Sequence, residues 1–447
     1  IRFGDYQSPF SKHLSCLWPV ASGHEITLLQ FIQPKISIMG TIDIGSTGFM
    51  LLSASLVMLM TPALAFFYGG LATKRNILGI MIQSFASLGW TTVLWVIFGY
   101  SLCFSGGEGG IFGNLDKMFL HGVSVDSIYA GNGKIPEIVF IVYQMMFAII
   151  TPALITGAFV NRVTFRSYMI FLTVWQILVY YPFVHMIWGG GLLAQWGVLD
   201  FAGGVVVHAT AGFAALASVF YIGARVDKNS TPNSIPLVAI GSGLLWFGWY
   251  GFNAGSELQV DKLTALAFIN TDVAASFATA AWVAIEWIRE GRPKLLGLLT
   301  GSIAGLATIT PCAGFVPMWS APIIGIAAGV LCYLAVQLKN RLKWDDALDV
   351  WGVHGVGGVL GTILLGVFAS SMINPAVTTD GLWFGKLSFF LKELITVVGA
   401  SAYAFIFTYI MLALINLVTR VRVSEEHEKL GLDVALHGEK AYDEGSL

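Results

Sequence analysis

The chain has 447 residues and a net charge of −2; only 11% of its residues are charged, and 56% are hydrophobic. Soluble domains carry about 25% charged residues, so a water-soluble enzyme is excluded, and the balance of charge argues against nucleic acid as a partner. Mean hydropathy is +0.75, and apolar runs long enough to cross a bilayer, about 17–25 residues each, recur along nearly the whole sequence. The fold class is therefore an all-α polytopic membrane protein; a barrel would alternate in segments of about ten residues. The 51 glycines suit closely packed membrane helices. Cys16, Cys103, Cys312 and Cys332 show no paired metal or redox spacing and read as isolated packing thiols.

In chain order, residues 1–38 begin with Ile1 and lack the basic, apolar and small-residue regions of a signal peptide. Met39 stands just before the first long apolar run, so the expectation is a natural start there and a non-native or disordered leader over 1–38. Residues 39–420 form one transmembrane domain. Eleven spans are predicted, over 46–68, 77–104, 136–160, 167–187, 201–223, 235–256, 263–287, 295–311, 321–338, 348–369 and 387–419. Residues 421–447 turn charged and form a tail.

The connections alternate in basic charge. One set carries Lys74 and Arg75, Arg162 and Arg166, Arg225 and Lys228, then Arg289, Arg292 and Lys294. It continues with Lys339, Arg341 and Lys343, then Arg420 and Arg422. The opposite loops have Lys117, Lys134, Lys262 and Lys386. Basic loops stay cytoplasmic, so the N-terminus is predicted outside and the C-terminus inside, which needs an odd number of spans.

Two histidines lie within apolar stretches, each eight residues after an acid: Asp200 before His208 and Asp346 before His354. An ionisable group at mid-membrane depth is costly and marks a substrate path by default. At 1.5 Å per residue each histidine lies about 12 Å along its span, from opposite faces of the membrane. Each belongs to the fifth helix of a five-helix set, and two odd-numbered sets in tandem must be inverted. The eleventh helix is then an added brace. A single histidine would read equally well as a packing residue; the shared offset favours a common path.

Aromatic groups gather toward the outer mouth: Phe147 in span three, Trp188 closing span four, and Phe252 with Ser256 at the end of span six. An aromatic face attracts a cation by about 0.5–2 kcal/mol, and a small hydroxyl can accept an N–H hydrogen bond. Together they suit a small ammonium-like ion. An interfacial aromatic belt is the competing reading. Among the other polar groups, Asp200 is expected to cap span five, and Asp346 and Asp349 to pair with basic neighbours such as Lys343. His185 reads as interfacial, and Glu286 as snorkelling at the basic end. Asp272 fits either hydrogen-bonded packing or the outer vestibule.

The segments DFAGGVVVHATAGFAALA, WFGWYGFNAGSEL, HMIWGGGLLA, DVWGVHGVGG and GLDVALHGEKAY resemble the ammonium transporter/methylammonium permease/Rhesus family, most closely its prokaryotic ammonium transporters, over about 46–442. The resemblance implies an external recruitment site at Phe147, Trp188 and Ser256, a gate of two rings at Phe147 and Phe252, and twin pore histidines at His208 and His354. It gives Asp200 a structural or proton-handling role. It further implies a homotrimer with a pore in each subunit, a tail that contacts a neighbouring subunit, and a PII-family regulatory protein at the cytoplasmic face. No cofactor or metal is expected. The function it implies is electrogenic ammonium transport across the cell membrane, with an ammonium sensor or a neutral Rhesus-type gas channel as the alternatives.

Overall fold

The computed structural model describes residues 42–226 and 231–442; the leader at 1–38 lies outside them. The described residues are helical, with isolated bridges only at Ile128–Pro136 and Val163–Arg422. Ten helices are long and apolar enough to cross a membrane. They are α1 (Ile44–Leu71), α2 (Ile77–Phe104), α3 (Glu137–Ala158), α4 (Phe165–Trp196), α5 (Gly204–Ile222), α6 (Ile235–Glu257) and α7 (Lys262–Glu290). After the shorter apolar α8 (Leu295–Ile309) come α9 (Met318–Arg341), α10 (Trp351–Phe368) and α11 (Leu387–Val418). This is a multi-pass membrane protein.

The predicted spans coincide with these helices, with two informative differences. Span eight was expected over 295–311, but its helix stops at Ile309; Pro311 has no N–H with which to continue the ladder. Span five was expected from 201, but its helix begins at Gly204, because Gly203 takes φ +115° and the chain first turns around Asp200. Some other helix starts use side-chain caps. Asp43 accepts from the Ser46 N–H at 2.6 Å, and Asp261 forms a capping box with Thr264 at the head of α7.

α1 packs on α6 and α3, α7 on α8 and α9, and α5 on both α10 and α11. Small residues permit the closest crossings. A Cβ on Gly212 of α5 would stand 2.1 Å from the Gly355 backbone nitrogen of α10. One on Gly358 of α10 would stand 2.6 Å from the Ala209 nitrogen and 2.9 Å from the His208 Cβ. The α5–α10 crossing is thus a backbone-to-backbone contact, as expected where helices associate through packing in lipid.

One end of the bundle is tied by ions. Arg162 is fully buried and donates to the carbonyls of Ala158 (2.6 Å), Gly223 (2.7 Å) and Asp345 (3.1 Å). The Asp345 carboxylate takes Arg225 through Nη2 at 2.7 Å and the Arg225 backbone N–H at 2.6 Å. The tail joins this end through Arg422, 2.9 Å from Glu428, whose other oxygen accepts the Val226 N–H at 2.6 Å. It then forms α12 (Glu425–Leu430) and α13 (Leu432–His437). The first turn of α2 has no acid of its own; Asp433 supplies one, accepting the Gly79 N–H at 2.7 Å. The tail is therefore folded onto the helix ends over its described length.

Burial alone would raise the Asp345 carboxyl, but the Arg225 and Arg162 guanidiniums outweigh it and hold it at about 2. A carboxyl lowered in the folded state stabilises fully above its ordinary value of 3.8 and loses that contribution as pH falls toward 2. Asp345→Asn is expected to lower stability at neutral pH by about 2 kcal/mol. In thermal melts of the detergent-solubilised protein, the gap from the native chain should narrow between pH 4 and pH 2.

Candidate functional site: an aromatic and histidine pore

Both histidine-bearing helices open on a buried acid. The Asp200 carboxylate accepts four backbone N–H groups at the head of α5: Gly203 at 2.8 Å, Gly204 at 2.7 Å, Val205 at 2.8 Å and Val206 at 3.1 Å. The first turn is wide, with the His208 N–H reaching the Gly203 carbonyl five residues back at 3.0 Å; such turns recur at functional sites. Asp346 does the same for α10 more sparsely, accepting the Trp351 N–H at 2.8 Å. Burial pushes the Asp346 carboxyl up to about 6, against the pull of Lys339.

The eight-residue offset then brings the two rings together. His208 and His354 are buried, with their Nδ1 atoms 3.3 Å apart and ring planes 19° from parallel. One of the two nitrogens carries the shared proton and the other accepts it. The His208 Nε2 is buried without a partner. Trp249 flanks His208 at 5.5 Å between ring centroids, its indole N–H donating to Thr310 at 3.0 Å.

From His208 a row of rings leads to one end of the bundle. Phe252 lies 6.1 Å away, Phe147 a further 4.2 Å and tilted by 32°, and Trp188 another 5.9 Å and edge-on. Phe147 and Phe252 are both 1% exposed. The Trp188 indole is fixed by donation to the Asp200 carbonyl at 2.8 Å. A cavity of about 240 Å³ opens above, lined among others by Gln144, Phe147, Trp188, Phe201 and Ser256. Past Phe252 the space shrinks to about 20 Å³ between apolar side chains and the two histidines. It widens again to about 170 Å³ at the other end, where His354 and Asp349 share the lining.

Ser256 donates to the Phe252 carbonyl at 2.9 Å, which leaves its oxygen able to accept from the cavity. Sequence reasoning missed Tyr143, whose hydroxyl lies 3.2 Å from Ser256 and donates to the Phe252 carbonyl at 2.8 Å. Its offset of four residues from Phe147, on one helix face, was the available signal. Gln144, Tyr129, Phe140 and Phe104, also in the cavity wall, were missed as well.

Other sites depart from expectation. His185 is fully buried in the protein, its ring nitrogens 2.9 Å from the Cys103 and Gly107 carbonyls. The basic partner near Asp346 is Lys339 rather than Lys343, because Lys339 reaches back from the last turn of α9. It donates to the Asp346 carbonyl at 2.9 Å and pairs with Asp349. Glu286 does not reach solvent freely, lying 3.9 Å from Lys294 with its side chain 10% exposed. Asp272, by contrast, follows one of its two expected roles, packing: it accepts from the Tyr250 hydroxyl at 2.6 Å between α7 and α6. Among the described residues no cluster of three or more histidine, cysteine or acidic side chains could hold a metal.

Because one carboxylate carries the whole head of α5, Asp200→Asn should melt below the native chain and Asp200→Ala lower still. The alanine loss should exceed about 3 kcal/mol, since bonds to a charged acceptor are worth about 1.5–3 kcal/mol each and the N–H groups would remain buried. Thermal unfolding in detergent gives the order directly.

The Ammonium Transporter Family profile matches residues 48–442. The ammonium transporter of Bacillus subtilis is 43% identical over 405 residues, covering 90% of this chain and 99% of that protein. The crystal structure of Saccharomyces cerevisiae Mep2 superposes with a TM-score of 0.81 at 34% identity, covering 91% of this chain and 93% of that one. A solved sensor Amt protein superposes at 0.79 with 27% identity, covering 88% of this chain and 98% of its own. With its matched region running from within α1 through α11 and including both histidines, the chain belongs to the ammonium transporter family.

Proposed function

We propose that this protein carries ammonium nitrogen across the cell membrane by recruiting the ion, removing its proton and passing ammonia through the histidine pair. One observation carries the reading: the smallest space along the path, about 20 Å³, is lined by aliphatic and aromatic side chains and two imidazoles 3.3 Å apart. A hydrated cation cannot enter such a space without losing its water, which Born reasoning makes prohibitive. Ammonia enters far more cheaply. Potassium has no proton to give up, so a lumen that demands deprotonation rejects it although its size is close to that of ammonium.

In this reading Trp188, Phe147 and Ser256 recruit the ion, through ring faces and one hydroxyl acceptor. Phe147 and Phe252 gate the path beneath. His208 and His354 hydrogen-bond the neutral molecule and relay the proton separately, since imidazole both donates and accepts near neutral pH. The transport is electrogenic. Asp200 acts structurally, given that its carboxylate is already occupied by four N–H donors.

The excess of basic residues on one set of loops supports a Trp188 end outside and an Asp346 end in the cytoplasm. With α8 counted as a short span there are eleven crossings, α1–α5 and α6–α10 forming the inverted repeats and α11 the brace. Residues 39–420 constitute the transporting domain and 421–447 the cytoplasmic tail. The assembly is a homotrimer, and its cytoplasmic face offers the surface for a PII-family protein.

A sensor that binds without moving substrate is the second reading, favoured by the structural similarity to the sensor Amt protein. Reconstitution into proteoliposomes separates the two. Ammonium pulses should evoke currents that potassium pulses do not, and His208→Ala or His354→Ala should lose that selectivity. Uptake of methylammonium without current would remove the proton relay; binding without uptake would favour the sensor.

A further inference from the structure

Glu393 lies inside the membrane span α11, fully buried. An acid at that depth is costly and calls for a reason. One carboxyl oxygen accepts the Leu199 N–H at 2.8 Å, and the other is buried without a partner. Leu199 stands in the short link between α4 and α5. Its neighbours on that link carry the wide cavity: the Asp200 carbonyl fixes the Trp188 indole, and the Phe201 ring lines the wall. The adjacent Lys392 holds the other end of the link, donating to the Trp196 carbonyl at 2.7 Å. Neither Glu393 nor Asp200 lines the cavity, so any effect on a bound ion passes through the link.

We propose that Glu393 is a positioning residue for the Trp188 recruitment site: its carboxyl pins Leu199, and so sets the height of the Asp200 carbonyl from which the indole hangs. The inference rests on the reading of Trp188 as part of the recruitment site. The contact needs one oxygen acceptor and no charge. Glutamine can supply that acceptor, and its amide can occupy the space of the unpartnered oxygen. Leucine fills similar volume and supplies none. The two substitutions therefore separate bracing from charge.

The test is methylammonium uptake by proteoliposomes, with half-saturation and maximal rate determined separately, alongside hydrogen exchange of the peptide covering residues 197–206. Glu393→Leu should raise half-saturation about tenfold, equivalent to one lost hydrogen bond of about 1.4 kcal/mol, with maximal rate within about twofold. Exchange should quicken in that peptide and not in α1 or α6. Glu393→Gln should restore both readouts. Unchanged half-saturation and exchange in Glu393→Leu would overturn the proposal. So would Glu393→Gln behaving as a disabled protein, which would assign the role to charge, and this outcome is readable even if the leucine variant does not assemble. If the native chain takes up no methylammonium, the transport reading fails, while the exchange comparison still decides whether Glu393 braces the link.

Discussion

The structure depends on one constraint: two polar rings, buried where a bilayer offers no water, must satisfy each other. His208 and His354 meet through Nδ1 at 3.3 Å where α5 and α10 cross, while the His208 Nε2 is left without a partner. The crossing is possible only because Gly212 and Gly358 remove side chains at the point of approach. A larger residue at either position would drive the helix axes apart and leave two buried imidazoles unpaired, a cost comparable to the packing lost. The geometry of the histidine pair is therefore set in part by glycines that carry no functional side chain.

The same constraint explains the acids. Helices that begin inside protein have N–H groups with no water to accept them. Asp200 answers this with a single carboxylate shared among four donors. Asp346 answers it with one bond and a nearby Lys339. The two devices stand at the same offset from their histidines but differ in completeness. Trp188 then rests on the backbone of the first acid, so the cap of α5 and the wall of the wide cavity are one piece of structure.

Much of this was legible in the sequence because it lies in local spacing. The eight-residue offset on two helices, the placement of Phe147, Trp188, Phe252 and Ser256, and most span limits follow from periodicity, composition and motif. What was not legible depends on contacts between distant segments. Glu393 and Leu199 are 194 residues apart, and Asp433 caps α2 from 354 residues away; no local pattern encodes either pairing. The burial of His185 was hidden likewise: it stands near a helix end, and the last turn of α2 and the loop beyond it each bring a carbonyl to its ring. The late start of α5 was hidden for a related reason. An apolar run records which residues avoid water, not where the backbone first becomes helical.

The narrowing from about 240 Å³ to about 20 Å³ carries the argument for selectivity. A filter built from carbonyl oxygens replaces a cation's hydration shell and discriminates by coordination. Here the lining beyond Phe252 is aliphatic or aromatic apart from the imidazoles, so it can replace no such shell. On the proposed reading, discrimination is moved from size to proton chemistry: the wide cavity, with its ring faces and the Ser256 oxygen, attracts the cation, and the narrow segment admits only what the cation becomes after deprotonation. Attraction and exclusion then reside in separate residues. Tightening the recruitment site would raise apparent affinity without opening the lumen to potassium, whereas replacing either imidazole with an apolar or hydrated group changes what can cross.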